Sequence, residues 1–162
     1  RFRPKKAGDE IEDMYTGERW AAPQYLYWLM GSWVKTGREL YSLKDPDTKF
    51  FLTPCAENRL IWMLGPGRPV YLGDGVCDAL TDDPLFGAES ILMDCDAGIF
   101  YEDGGRVFFT DGLAHPVPIA PAERYYRVYV ARVSHSKYQV ILTGFLPASY
   151  LLDTARRLSY PI

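Results

Sequence analysis

The stretch from Arg124 to Phe145 constrains the fold of this chain more than any other. Two runs rich in β-branched and aromatic residues flank the short polar turn Ser134-His135-Ser136, a pattern typical of a β-hairpin. Because side chains alternate along a strand, each run has one apolar row. The rows that we predict to be core are Tyr126, Val128 and Val130 in the first run, and Tyr138, Val140 and Leu142 in the second. The opposite rows mix polar residues with Tyr129 and Ile141, so we expect both faces of the hairpin to make contacts.

Further strand-forming runs recur between turn signals. A second hairpin is predicted around Asp103-Gly104-Gly105, because Asp-Gly supplies the positive φ angles of a tight turn. The chain is therefore predicted to be mainly β, an antiparallel barrel or sandwich of about eight strands. Residues 76–90 are predicted to be mostly loop. The segment 116–121, which contains three prolines, is predicted to be an extended connector.

Two short helices complete the predicted fold. The first covers residues 23–30, with Pro23 in its first turn and Gly31 after its end. The second covers residues 148–158, with Arg156 and Arg157 near its C-terminal end, where cations are favoured.

The division of the chain follows from apolar periodicity. Residues 1–19 are polar and have none, which predicts an extended N-terminal arm. Residues 20–162 are predicted to form a single β-rich domain, since this length is enough for one sizeable core.

Charge and motifs argue against several classes of function. A net charge of −3 disfavours a nucleic-acid binder, and no apolar run is long enough for a transmembrane helix. No nucleophile elbow, phosphate loop or Cys-x-x-Cys pair occurs. We therefore predict a non-enzyme without metal or cofactor. Cys55, Cys77 and Cys95 are predicted to be buried free thiols, with a single disulfide bridge as the alternative.

Aromatic residues make up 15% of the chain, and tyrosine and tryptophan are enriched at protein interfaces as well as in strands. The predicted interface residues are Trp20, Tyr25, Tyr27, Trp28, Tyr125, Tyr129 and Tyr150. They favour a structural or accessory subunit of a larger assembly, which docks on other protein subunits through aromatic surfaces and the N-terminal arm. Such a subunit would touch a membrane only through its partners.

The first residue is Arg1 rather than methionine. Removal of an organellar transit peptide would explain this start. We therefore predict an organellar, preferably mitochondrial, location, with the cytoplasm as the alternative.

Gly31-Ser32-Trp33 follows a short apolar segment at the start of a predicted strand, and Arg156 and Arg157 follow the last one. This arrangement resembles the opening of lipocalins and related calycin barrels. The resemblance implies an up-and-down barrel with an apolar cavity, in which Trp33 plugs the closed end and Arg156 packs across it. The alternative function is therefore the binding of a small apolar ligand.

Overall fold

The structure is a computed structural model that describes residues 2–6, 10–13, 16–21, 28–45, 47–122, 127–144 and 146–162. These residues form nineteen strands in five antiparallel sheets, together with one 3₁₀ turn at Pro54–Ala56. The prediction of a mainly antiparallel β fold is therefore confirmed. By contact, the chain divides into two compact units, residues Arg1–Ile61 with Ala79–Asp82 and residues Trp62–Asp78 with Asp83–Ile162.

Unit 1 holds sheets A and B, each a run of strands in sequence order. Sheet A consists of β1 (Phe2–Lys6), β2 (Glu10–Asp13) and β3 (Arg19–Ala21). Sheet B consists of β4 (Trp28–Met30), β5 (Trp33–Thr36), β6 (Glu39–Ser42) and β7 (Lys49–Phe51). Ile11 of sheet A is fully buried in one cluster with Val34 and Leu43. Part of the predicted N-terminal arm is thus paired as strands, while the domain boundary at residue 19 stays a prediction.

Unit 2 holds sheets C, D and E, each a four-stranded antiparallel meander. Sheet C consists of β8 (Trp62–Met63), β9 (Pro69–Gly73), β10 (Gly75–Asp78) and β11 (Pro84–Phe86). Sheet D consists of β12 (Ser90–Cys95), β13 (Gly98–Asp103), β14 (Arg106–Thr110) and β15 (Val117–Pro121). Sheet E consists of β16 (Arg127–Ser134), β17 (Lys137–Thr143), β18 (Ala148–Asp153) and β19 (Leu158–Pro161).

The three sheets of unit 2 stack through a repeated contact. The first strand of sheet D, β12, lies beside both β8 and β16, and the last strands β15 and β19 also meet. Sheet D is therefore covered on both faces.

Both faces of sheet D are lined by large apolar side chains. On one face Ile99 and Tyr101 pack with Val70 and Val76 of sheet C. The other face buries Phe100 and Phe109, whose ring centroids lie 5.1 Å apart, against sheet E. Sheet E contributes Val128, Tyr138, Val140, Leu142 and Leu152 to this D–E core.

The two predicted hairpins are confirmed. The first pairs β16 with β17, with Val128 opposite Leu142 and Val130 opposite Val140, and the described members of both predicted core rows pack in the D–E core. The second pairs β13 with β14. Gly104 and Gly105 of its turn have φ angles of 56° and 77°, which glycine adopts without strain.

Two elements of the predicted fold are wrong. Residues 148–153 form strand β18 rather than a helix, because Ala148 to Asp153 pair residue by residue with β17 and this tertiary pairing outweighs local propensity. The end of the other predicted helix, Trp28–Met30, is strand β4, and its earlier part lies outside the described residues. In addition, the described strands form separate open sheets rather than a closed barrel.

Two segments expected to be unpaired are strands. Residues 76–90 contain β10 and β11, which pair with each other. The proline-rich connector contains β15, which pairs with β14 although Pro118 and Pro121 lack an N–H donor. Proline is tolerated there because β15 is an edge strand of sheet D.

No helix in the described part of the chain is long and apolar enough to cross a membrane.

Replacing Leu142 with alanine tests the D–E core. Leu142 is 0% exposed, so Leu142→Ala is expected to lower the free energy of unfolding by about 2–5 kcal/mol through lost burial and a residual cavity. Chemical denaturation measures this change. Leu113→Ala is the matched control, because Leu113 is 80% exposed, and it should change stability by less than about 0.5 kcal/mol. Equal effects of the two variants would contradict the D–E core as described.

Candidate interaction surface

The face of sheet E that points away from sheet D carries two rows of side chains. Strand register places Tyr129 beside Ile141 and Ile141 beside Ser149, and the N–H of Ile162 donates to the Ser149 carbonyl at 3.0 Å. The next row is Ala131, Gln139, Leu151 and Tyr160. Directly opposed residues in neighbouring strands share a face. We call these eight residues the outer face: Tyr129, Ile141, Ser149, Ile162, Ala131, Gln139, Leu151 and Tyr160.

The outer face exposes an unusual amount of apolar surface. Tyr129 is 48% exposed, Tyr160 44% and Ile162 63%, while Ile141 and Leu151 are only half-buried. None of the eight residues is charged. A contiguous apolar patch without charge is typical of a protein–protein contact rather than of a solvated surface.

The ends of the outer face are basic. Arg127 precedes Tyr129 by two residues on β16, and hydrogen bonding to the Tyr129 side chain raises the pKa of the Arg127 guanidinium. Lys137 starts β17 at the opposite end and is exposed. The uncharged centre is thus flanked by cations, as in many interfaces with a polar rim.

Two ion pairs hold sheet E in place at one end of the D–E stack. Arg132 Nη2 lies 2.7 Å from Asp96 Oδ2 and donates to the Tyr138 hydroxyl at 2.9 Å. The Tyr138 hydroxyl donates in turn to Asp96 Oδ1 at 3.0 Å. Burial raises the pKa of Tyr138, and Asp96 adds to this increase, although the hydrogen bond from Arg132 opposes it. The cluster joins the β12–β13 turn to the β16–β17 turn and closes one edge of the D–E core.

The second ion pair is between Arg157 and Asp111, with 2.7 Å from Nη2 to Oδ2. Burial alone would raise the pKa of Asp111, but hydrogen bonds from the Leu113 N–H and from Arg157 outweigh it and lower this pKa. Arg68 Nη1 also donates to the Asp111 carbonyl at 3.2 Å. The loop after β14 therefore joins sheets C, D and E.

The predicted site residues fall in different places. Tyr129 belongs to the outer face, whereas Tyr150 is half-buried on the opposite face of sheet E, against the D–E core. Trp20 packs on the Ile11 cluster of unit 1. Tyr25, Tyr27 and Tyr125 lie outside the described residues, and Trp28 is described only as part of β4.

The two residues predicted to plug a barrel belong to different units. Trp33 of unit 1 packs near Phe50, with 5.7 Å between ring centroids. Arg156 of unit 2 lies exposed in the turn after β18, where its N–H donates to Asp153 Oδ1 at 3.0 Å. The structure gives each residue a local packing or turn contact.

Other polar features of unit 1 are local. An open groove of about 610 Å³ is lined by Glu18, Arg19, Trp20 and Lys44. Lys35 is 2% exposed; its Nζ donates to the Glu57 carbonyl, and burial lowers its pKa although Glu57 opposes this. In the described ranges no group of three or more acidic, histidine or cysteine side chains could hold a metal ion.

Sequence reasoning missed Leu151, Tyr160 and Ile162 as a shared surface. The alternation in residues 148–153, with Tyr150 and Leu152 on one face and Ser149 and Leu151 on the other, was the available signal. Because a helix was predicted over this segment, the alternation was not interpreted as a strand. The comparisons with known proteins do not add a site, since no family model, curated protein or solved structure matches this chain.

The Asp111–Arg157 pair makes the free energy of unfolding depend on pH in the acidic range. Because the folded-state pKa of Asp111 is lowered, its stabilisation is present above the unfolded value near 4 and is lost as pH falls through the folded value. Asp111→Asn is expected to remove this contribution, so wild type and variant should differ in urea midpoint at neutral pH and converge in acid.

Asp74→Asn serves as the control for the loss of one carboxylate, since Asp74 is exposed. It should leave the urea midpoint close to that of wild type across the same pH range. A gap between wild type and Asp111→Asn that stays constant down to the lowest pH would show that the carboxylate charge is not what stabilises this loop.

Proposed function

We propose that the protein is a non-catalytic, structural subunit of a larger protein assembly, and that it docks through the outer face of sheet E. One observation carries this proposal: Tyr129, Tyr160 and Ile162 are 44–63% exposed on one contiguous sheet face. Sheet D has apolar side chains on both of its faces, and both faces are buried against a neighbouring sheet of this unit. The outer face has the same chemistry and leaves room for a partner.

The composition of the outer face supports a docking role. Tyrosine combines large apolar area with a polar hydroxyl, and it loses little conformational entropy when a partner covers it. Charged residues are absent from the centre and present at both ends, as expected of an interface with a desolvated core and a polar rim. The Arg157–Asp111 ion pair and the hydrogen bonds among Arg132, Tyr138 and Asp96 join sheet E to sheet D, and they leave the outer face uncovered.

Binding of a small apolar ligand, the function implied by the lipocalin resemblance, has less support. That function needs an apolar cavity enclosed by strands, and the described strands form open sheets with packed cores. The groove in unit 1 is lined mostly by charged residues. Docking on protein is therefore the better proposal, and the absence of catalysis stays a prediction.

Gentle extraction of the protein from its source, followed by size separation, tests the docking role. The native protein is expected to migrate with partners, well above the mass of a single chain. Tyr129→Asp combined with Tyr160→Asp places two charges on the outer face, and it should shift the protein to the free fraction because burial of unpaired charge is costly.

The matched control is Leu113→Asp, which adds a charge at another exposed apolar residue of unit 2. This variant should still migrate with the assembly. The outer face is not the docking surface if wild type migrates as a single chain. The same conclusion follows if the outer-face variant still migrates with the assembly as wild type does. The mitochondrial location stays a prediction that fractionation of the same extract would test.

A further inference from the structure

The junction between sheets C and D contains a carboxylate that bridges the two sheets. Asp94 lies on β12 of sheet D, directly opposite Ile99 of β13, and directly opposed residues share a face. Ile99 packs in the core between sheets C and D, so Asp94 also points towards sheet C. There its Oδ2 atom accepts a hydrogen bond of 2.9 Å from the Met63 N–H of β8.

The surroundings of Asp94 are apolar. Its side chain is half-buried beside a core that consists of Leu64, Val70, Val76, Ile91, Ile99 and Tyr101, with Trp62 and Leu72 packed against it. Besides Met63, its own backbone N–H also donates to the carboxylate. No lysine, arginine or histidine of the described residues pairs with this carboxylate.

We infer that Asp94 forms a proton-sensitive contact between sheets C and D, which holds the two sheets together more firmly when its carboxyl group is protonated. An ionised carboxylate in this place exchanges its water for backbone N–H groups alone, and it gains no cation in return. A protonated carboxyl group carries no charge and avoids most of this cost. The contact is separate from docking on the outer face, because sheet E takes no part in the C–D junction.

The direction of the effect on stability follows from the two protonation states. Burial raises the pKa of Asp94, although hydrogen bonds from the Met63 N–H and from its own N–H oppose this increase. The folded chain therefore binds this proton more tightly than the unfolded chain does. The cost of burying the charge is absent below the unfolded pKa of about 4, grows as the pH rises above it, and is complete above the folded-state pKa.

Sheet C brings no charged side chain to Asp94. Strand β8 consists of Trp62 and Met63, which do not ionise, and the next strand, β9, has no charged residue. Arg68, which precedes β9, donates instead to the Asp111 carbonyl at 3.2 Å. The C side of the junction therefore offers only a backbone donor.

The ionisable groups of sheets D and E do not reverse the effect either. On β13, Tyr101 and Asp103 share the face that points to sheet C, and a second carboxylate there can only raise the pKa further. On the strand of the bridging carboxylate itself, Cys95 packs on the D–E core. Asp96 pairs with Arg132 of β16, on the other side of sheet D.

Asp94 and Asp111 act on stability in opposite directions. As the pH falls from neutral, protonation of Asp94 strengthens the C–D junction, and at lower pH the loss of the Asp111–Arg157 pair weakens the loop after β14. Their combined contribution to the free energy of unfolding is therefore largest between the two folded-state pKa values, in mildly acidic solution. The two carboxylates together form a pH-sensitive device within unit 2.

Urea denaturation of the full chain over a range of pH tests the inference with Asp94→Asn. This variant cannot ionise but keeps an oxygen acceptor for the Met63 N–H. Its urea midpoint is expected to shift upwards relative to wild type as the pH rises from acid to neutral, because only wild type acquires the buried charge. The change of this difference with pH is the readout, since a fixed cost of the amide would act at every pH.

Two further variants are matched controls for Asp94→Asn. Asp111→Asn removes a carboxylate with a lowered pKa, so its midpoint relative to wild type should shift downwards over the same rise in pH. Asp74→Asn removes an exposed carboxylate, so its midpoint should stay close to that of wild type throughout.

An NMR titration of wild type assigns the effect to the contact itself. The carboxyl resonance of Asp94 is expected to titrate above the ordinary aspartate value of about 4. The amide resonance of Met63 should shift with the same midpoint, because its N–H donates to this carboxylate. In Asp94→Asn, the Met63 amide should lose that transition.

Several results would overturn the inference. One is a difference in urea midpoint between Asp94→Asn and wild type that stays constant with pH or falls towards neutral. Another is an Asp94 carboxyl group that titrates at or below the ordinary value, or a Met63 amide that does not follow it. Migration with partners in extracts tests the docking role alone, so the two proposals can fail independently.

Discussion

Burial of one face of sheet E against sheet D is the contact on which unit 2 depends. Val140, Leu142 and Leu152 are all 0% exposed there, and Phe100 of sheet D is as well. An isolated antiparallel sheet of four short strands gains little stability in water, and it needs a second layer to bury its apolar face. Sheet D supplies that layer for sheet E on one side and for sheet C on the other. The outer face of sheet E keeps its place because the inner face is fixed in this way.

The two faces of sheet E show how one strand pattern serves both folding and docking. On β17, Tyr138, Val140 and Leu142 point to the core, while Gln139 and Ile141 point outwards. Alternation guarantees this separation, and a slip of one residue would exchange the two sets. The hydrogen bonds among Arg132, Tyr138 and Asp96 oppose such a slip, because they join the end of sheet E to a turn of sheet D. The same cluster that closes the core therefore also fixes the position of the surface.

Much of this architecture was predictable from the sequence, and the exceptions have physical causes. The hairpins around Ser134–Lys137 and Asp103–Arg106 follow from strand propensity and turn chemistry. The described residues form more strands than the predicted eight, because runs such as Trp33–Leu43 contain a turn at Gly37, with a φ angle of 59°, and this turn divides the run into β5 and β6. The helix expected over residues 148–158 failed because leucine, alanine and arginine favour helices locally, and only pairing with β17 selects the strand. Tyr129 was predictable as an interface residue from its position opposite the core row, but Leu151 and Tyr160 required the pairing of β17, β18 and β19.

The prolines in the last strand of each sheet of unit 2 have a consequence for solubility. Pro84 lies in β11, Pro118 and Pro121 in β15, and Pro161 in β19, and all three strands are sheet edges. An edge strand ordinarily offers a row of free N–H and C=O groups to any passing strand, which is a route to amyloid-like aggregation. Proline removes donors from that row and so interrupts templated growth along the edge. A chain built almost entirely of short strands can in this way keep a large apolar sheet face available for a specific partner without its neighbouring edges recruiting unspecific ones.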